Sequence, residues 1–184
     1  MATIIGISGS VRRGSYNAML LAAAAETIPI EIASIADIPL YNADWNTEHG
    51  LPESVHALKE RLANADGLLI ATPEYNNSIP GVAKNAIDWL SRPYPDIPRV
   101  FGGLHVALMG ATPGRGGTIL AQAAWLPVLR GLGTRAFSGR SIYVSNAGAL
   151  FDENGLRDEE TRARVEKFAR EFAELVASHP RQRT

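Results

Sequence analysis

The 184-residue chain carries a net charge of −1, with 46% apolar and 20% charged residues, the composition of one soluble globular domain of generous size. That near-neutral balance supplies no bulk electrostatic footprint for nucleic acid. The absence of cysteine excludes disulfides, thiolate nucleophiles and thiolate-ligated zinc or iron–sulfur centres, and fits a reducing cytoplasm. No apolar run reaches about 18 residues, so no membrane-spanning helix is expected. The first strand pattern begins near Thr3, so no signal peptide is expected. His49, His56, His105 and His179 lack metal-ligand spacing, and surface or strand-packing roles are expected for them.

Apolar strand runs alternate with helical patterns along the chain. Thr3–Ser8 reads as a central parallel strand bounded by Gly and Ser. Ser15–Glu26 is rich in Ala and Leu, good helix composition, with Ser15 placed to cap it. Ile30–Ala33 is a second short strand, followed by a long excursion over Ser34–His49. Val55, Leu58, Leu62 and Ala65 recur at helical spacing, and Leu68–Thr72 forms the third strand. Pro80 suits the first turn of the next helix, whose apolar face is Ala83, Ile87 and Leu90. Pro93, Pro95 and Pro98 break that helix into a loop. Leu104–Met109 is the fourth strand, Gly110–Gly117 a glycine-rich turn, and Thr118–Leu132 a helix with a bend expected at Pro127. Thr134–Phe137 and Ile142–Val144 read as parts of a fifth, edge strand. The last helix starts near Asp158, with Glu159 and Glu160 in its first turn and a buried stripe of Val165, Phe168, Phe172 and Leu175. The tail His179–Thr184 is expected to fray. Five strands with intervening helices predict an α/β fold, a doubly wound parallel sheet with helices on both faces. Ligands then bind beyond the C-terminal strand ends, where three loops gather.

The loop after strand one, Gly9–Asn17, is neither a dinucleotide fingerprint nor a Walker loop. It sets Ser8, Ser10, Arg12, Ser15 and Asn17 around Gly9 and Gly14 at a helix N-terminus, which makes either a phosphate site or a polar turn with a capping serine. The loop after strand three carries Pro73-Glu74-Tyr75-Asn76, either a carboxylate and a packing ring or an ordinary turn. The loop after strand four, Ala111–Gly117, brings bare backbone close to the other two, and its Arg115 either meets a second anion or lies in solvent. Trp89 and Trp125 sit at spacings that suit core or interface better than cofactor stacking. No Ser–His–Asp arrangement and no carboxylate cluster for metal is present in the pattern.

Gly9-Ser10-Val11-Arg12-Arg13-Gly14-Ser15-Tyr16-Asn17 resembles the phosphate loop of the NADPH-dependent FMN reductase family. Pro73-Glu74-Tyr75-Asn76-Asn77-Ser78-Ile79-Pro80-Gly81, continued by Lys84 to Ser91, resembles that family's second signature. Ser34–Tyr41 is similar to a stretch of its chromate- and quinone-reductase branch. The resemblance spans about residues 3–178. It implies a single flavodoxin-like FMN-binding domain over 1–184, five strands in the order 2-1-3-4-5, and a homodimer or homotetramer. It also implies that Ser10, Arg12, Ser15, Tyr16 and Asn17 hold the FMN phosphate. Pro73, Glu74, Tyr75 and Asn76 would then line the flavin ring, faced by Ala111, Thr112 and Gly114.

The expected activity is NAD(P)H-dependent two-electron reduction of a small-molecule acceptor: quinones, azo compounds, chromate or free flavin. FMN carries the chemistry, NADPH or NADH is co-substrate, and no side chain is assigned a catalytic role. Arg13 and Arg115 are candidates to meet the extra phosphate of NADPH. Subunit contacts are expected near Tyr41, Trp45 and the helices carrying Trp89 and Trp125. Two other classes stand beside this reading. One is a flavin-binding electron carrier without nicotinamide oxidation, disfavoured by the near-neutral charge. The other is a doubly wound domain with no cofactor.

Overall fold

The computed structural model describes residues 2–182; the last two residues of the expected tail lie outside that range. Buried apolar segments must satisfy their backbone groups among themselves, and here they do so in one parallel sheet. Its strands are β1 (Ile4–Ser8), β2 (Glu31–Ala33), β3 (Gly67–Ala71), β4 (His105–Ala111), β5 (Arg135–Ala136) and β6 (Ile142–Val144). The order is β2-β1-β3-β4, with β5 and β6 both paired to β4 on its far side. Six strands thus occupy the five expected positions. The fifth position is shared: β5 runs beside His105 and Val106, and β6 beside Met109–Ala111. This is the flavodoxin-like strand order.

The described residues form seven helices: α1 (Tyr16–Ala25), α2 (Ala43–His49), α3 (Glu53–Ala63), α4 (Gly81–Leu90), α5 (Ile97–Phe101), α6 (Ile119–Gly131) and α7 (Glu159–Ser178). Successive strand residues face opposite sides. Ile4, Leu69, Ala107 and Met109 meet Leu20 and Leu21 of α1 and Phe168 and Phe172 of α7 in one core. Ile5, Ile7, Leu68, Ile70 and Val106 meet α3, α4 and α6 in the other, around Leu62, Trp89 and Trp125. Gly6 permits the close approach of α1, because a Cβ there would lie 2.7 Å from Ile30 and 2.9 Å from Leu21.

Several expectations are corrected. The Ser34–His49 excursion contains α2, started by Asn42, whose Oδ1 accepts from the N–H groups of Asp44 and Trp45. The proline-rich segment is a short 3₁₀ turn at Tyr94–Asp96 followed by α5. Pro98 sits in the first turn of α5, where its missing N–H costs nothing. The helix after Phe151 is preceded by a small antiparallel hairpin, β7 (Phe151–Asp152) and β8 (Gly155–Leu156), that packs beside α1. Helix α6 spans Ile119–Gly131 with Pro127, the place of the expected bend, inside it. The α7 stripe ends in buried Val176, four residues after Phe172, while Leu175 is only half-buried.

The tail does not fray over the described residues. Arg181 is buried and donates to carbonyl oxygens at the C-terminal ends of α3 and α5: Leu62 at 3.2 Å, Arg99 at 2.6 Å and Gly102 at 2.9 Å. A cation there also suits the negative helix ends. Nearby, the side chain of Lys59 is 1% exposed and pairs with Asp96 at 2.7 Å, and Arg99 pairs with Glu60 at 2.7 Å. Hydrogen bonding from Arg99 holds the Glu60 carboxyl below its usual range. Arg181→Ala removes this buried donor from the Arg99 and Gly102 carbonyls, while Leu62 O keeps the Ala65 N–H, and should destabilise the fold by about 2–4 kcal/mol. The check is a urea titration, in which the midpoint falls while the slope stays constant.

Candidate active site

The register puts three loops at one edge. Ser8 pairs with Ala71 and Ala71 with Met109, so β1 and β3 end together and β4 runs two residues further. The ladder continues one step into each loop. Gly9 N–H donates to Ala71 O (2.8 Å), Thr72 N–H to Met109 O (2.8 Å) and Thr112 N–H to Val144 O (2.9 Å). Gly9 sits in a tight place, since a Cβ would lie 3.1 Å from Pro73 Cδ and 3.4 Å from Ala83 Cβ, and Pro73 would have to give by a few tenths of an ångström. The first two loops therefore touch through bare backbone.

The first loop is a nest of short hydrogen-bonded turns. Ser10 Oγ accepts from Arg12 N–H at 3.4 Å, and Ser15 Oγ accepts from Ala18 N–H at 3.3 Å as the N-cap of α1. Both hydroxyls keep a proton to donate outward. The N–H groups of Tyr16 and Asn17, in the first helical turn, have no intrahelical acceptor by geometry. The Arg12 guanidinium donates to Gly14 O at 3.0 Å and lies 5.5 Å from the Tyr16 ring centroid. Tyr16 in turn rests on Phe151, with centroids 5.4 Å apart. Arg12 is thus held over the loop with further donors to offer. Asn17 behaves differently. It is buried, and its amide pairs both ways with Ala111: Nδ2 donates to Ala111 O and Oδ1 accepts from Ala111 N–H, each at 2.9 Å. Its side chain ties α1 to the third loop.

The second loop forms a shelf. Thr72 Oγ1 donates to Pro73 O at 2.9 Å and accepts from the buried Trp125 indole at 3.2 Å. Tyr75 and Ser78 exchange backbone hydrogen bonds around Asn76 and Asn77, whose φ angles are 50° and 60°. Two successive left-handed residues demand Gly or Asn, which accounts for the asparagine at 77. Tyr75 remains 47% exposed. Glu74 Oε2 accepts from the N–H groups of Leu120 (2.8 Å) and Ala121 (3.1 Å), the first turn of α6. In the third loop, a Cβ on Gly110 would overlap Thr118 Oγ1 and the Thr72 carbonyl oxygen. Thr112 and Gly114 carbonyls accept from Ala147 and Asn146, which pins the loop to the segment after β6. Arg115 is exposed on its outer side.

These three loops enclose a cleft of about 450 Å³. Ser10, Arg12, Ser15, Tyr16 and Asn17 line one side of it. Pro73, Glu74 and Tyr75 line the second, and Ala111, Thr112 and Pro113 the third. Asn76 and Gly114, also expected there, do not line it: Asn76 is occupied by the turn, and Gly114 lies one residue beyond the wall. Pro113, which stands between the expected Thr112 and Gly114, lines it as well. One end offers hydroxyls, orphan amides and a guanidinium, which suit a phosphate. The other end offers proline and tyrosine surfaces, which suit a flat ring. The one carboxylate among the lining residues, Glu74, is committed to α6. The donor set therefore fits a mononucleotide with a planar head, and FMN has that form. Among the described residues no three His, Asp or Glu side chains gather as a metal site.

A doubly wound sheet with an anion cradle and a ring shelf at its β1/β3 switch point is the frame of a flavin-nucleotide oxidoreductase. The chain belongs to the NADPH-dependent FMN reductase family, whose model matches residues 2–149. It is thus an oxidoreductase of the FMN reductase and quinone reductase type, with FMN and NAD(P)H as the family's cofactors. It is 43% identical over 169 residues to an NAD(P)H-dependent FMN reductase of Pseudomonas aeruginosa, covering 89% of each chain. It is 37% identical over 175 residues to a 2-hydroxy-1,4-benzoquinone reductase of Burkholderia, covering 92% of this chain and 93% of the relative. Among solved structures, the flavoenzyme NAD(P)H:(acceptor) oxidoreductase FerB of Paracoccus denitrificans matches with a TM-score of 0.86 and 33% identity. That match covers 98% of this chain and 100% of FerB.

Asn17→Asp places a carboxylate oxygen against the Ala111 carbonyl and leaves that buried acceptor without its donor. The variant should lose about 2–4 kcal/mol of stability. Chemical unfolding followed by circular dichroism measures this, and a loss below 0.5 kcal/mol would mean that Asn17 does not hold the third loop.

Proposed function

We propose that the chain is a single-domain NAD(P)H:quinone oxidoreductase that holds FMN in the cleft and works in double-displacement order. The observation that carries this reading is the pairing, in one open cleft, of an anion cradle with a flat shelf. FMN held there would supply two-electron hydride chemistry between a nicotinamide and a second substrate. Ser10, Ser15, Arg12 and the first-turn amides of α1 hold the phosphate. Pro73 and Tyr75 support the ring, and Ala111, Thr112 and Pro113 form the facing wall. No lining side chain is left free as a buried acid or base, which suits chemistry carried by the cofactor. The benzoquinone reductase among the relatives favours quinones as acceptors, with azo compounds, chromate and free flavin as further candidates. Arg13 and Arg115, both exposed beside the cleft loops, are the candidates for the extra phosphate of NADPH. A cytoplasmic location completes the reading and rests on the cysteine-free chain; no described helix is long and apolar enough to cross a membrane.

The protein is further proposed to associate as a homodimer or homotetramer. Trp89 and Trp125 are core residues, 1% and 0% exposed, so their rings form no interface. The support comes instead from Leu40 (86% exposed), Tyr94 (70%) and Trp45 (39%), large apolar groups left in solvent. Light scattering at micromolar concentration should give a dimer or tetramer mass, and a monomer alone counts against the proposal.

Titration of flavin-free protein with FMN tests the site. Arg12→Ala removes a charge-assisted contact of about 1.5–3 kcal/mol, so the dissociation constant should rise about 10–150-fold. Stopped-flow spectra of the loaded protein should then show bleaching with NADPH and recovery with benzoquinone, with parallel double-reciprocal plots. A flavin that neither NADPH nor NADH reduces would favour the electron-carrier reading.

A further inference from the structure

Glu74 lies in the shelf, yet its carboxylate is turned to another element. Helix α6 begins after Thr118, whose side chain makes no cap and whose backbone is left-handed, with φ 69°. The Thr118 hydroxyl is engaged instead with Gln122 Nε2 at 3.1 Å. The first-turn amides of α6 therefore need an acceptor from elsewhere. Glu74 supplies it from 46 residues away, accepting from Leu120 and Ala121, and its charge suits the positive helix end. The same helix grips the shelf a second time about one turn along, through the Trp125 indole, the Thr72 hydroxyl and the Pro73 carbonyl. On its other side, α6 emerges directly from the glycine-rich loop: Ile119 N–H donates to Gly116 O, and Gly110 packs against Thr118.

We infer that Glu74 is a positioning residue: as the cap of α6, its carboxylate locks the shelf loop and the glycine-rich loop into one frame and so sets the width of the slot between them. That this slot receives the flavin and its substrates rests on the function proposed above. The locking itself does not, because every contact in it belongs to the chain.

Flavin-free protein provides the first test. In wild type, the amides of Leu120 and Ala121 should exchange as slowly as those of a helix interior, although they stand in a first turn. Trypsin cleavage after exposed Arg115 reports opening of the glycine-rich loop. Glu74→Ala should speed it about tenfold or more, and Glu74→Gln, which keeps an acceptor oxygen, should stay within about threefold of wild type. FMN affinity should follow the same ranking, with the glutamine variant rescuing what alanine loses. Free-peptide exchange at Leu120 and Ala121, or equal cleavage of wild type and Glu74→Ala, overturns the proposal. So does a glutamine variant as impaired as alanine. Should Glu74→Ala fail to fold, the wild-type exchange rates and the glutamine variant decide the question. Wild-type protein that does not bind FMN would remove the flavin reading and leave the cap to be judged on exchange and cleavage.

Discussion

The cleft depends on one alignment: β1, β3 and β4 are parallel and in a register that brings their C-terminal ends to the same edge. Parallel strands leave their loops on one side of the sheet, and reversal of strand order between β1 and β3 opens a crevice there. What the alignment demands in return is thinness. Gly110 stands where loop and strand approach too closely for any Cβ, and Gly9 where one would be tight against Pro73. Once the backbones are that close, long-range side-chain bonds fix them. Asn17 holds the third loop to α1, and Glu74 holds the second loop to α6.

The two ends of the cleft are built from different materials for a physical reason. An anion needs donors that do not relax away, and backbone amides at a helix start meet that need. A ring that exchanges partners needs a flat wall with few hydrogen bonds of its own. Pro73 has no N–H to leave unpaired, and its carbonyl is already turned to Thr72. The shelf therefore presents apolar surface although it is made of loop.

Much of this was legible before any coordinates. The strands declared themselves as short apolar runs between Gly and Ser, and the amphipathic helices through spacings such as Val55, Leu58 and Leu62. The loop chemistry was readable because Ser, Arg, Gly and Asn cluster at strand ends. The illegible parts share a cause: each depends on a partner far away in sequence. Asn17 lines the cleft as the sequence suggests, but that its side chain also pairs with Ala111, 94 residues on, is not visible there. Glu74 lines the cleft too, but its bonds to the first turn of α6 depend on a helix that starts 45 residues later. Arg181 looks like part of a loose tail because nothing local shows that two helix ends meet there. Helix α2 escaped for a different reason, since it has no buried residue and only Asn42 announces it.

The divided strand at the sheet margin has a consequence for the protein in crowded solution. An unbroken outer strand is a template on which a neighbouring molecule can add its own backbone. Here that margin offers two residues, then the detour 137–141, then three more. The opposite margin, β2, is only three residues long. A strand arriving from another molecule finds no run long enough to zip along on either side. Lateral growth of the sheet is thus disfavoured at both borders.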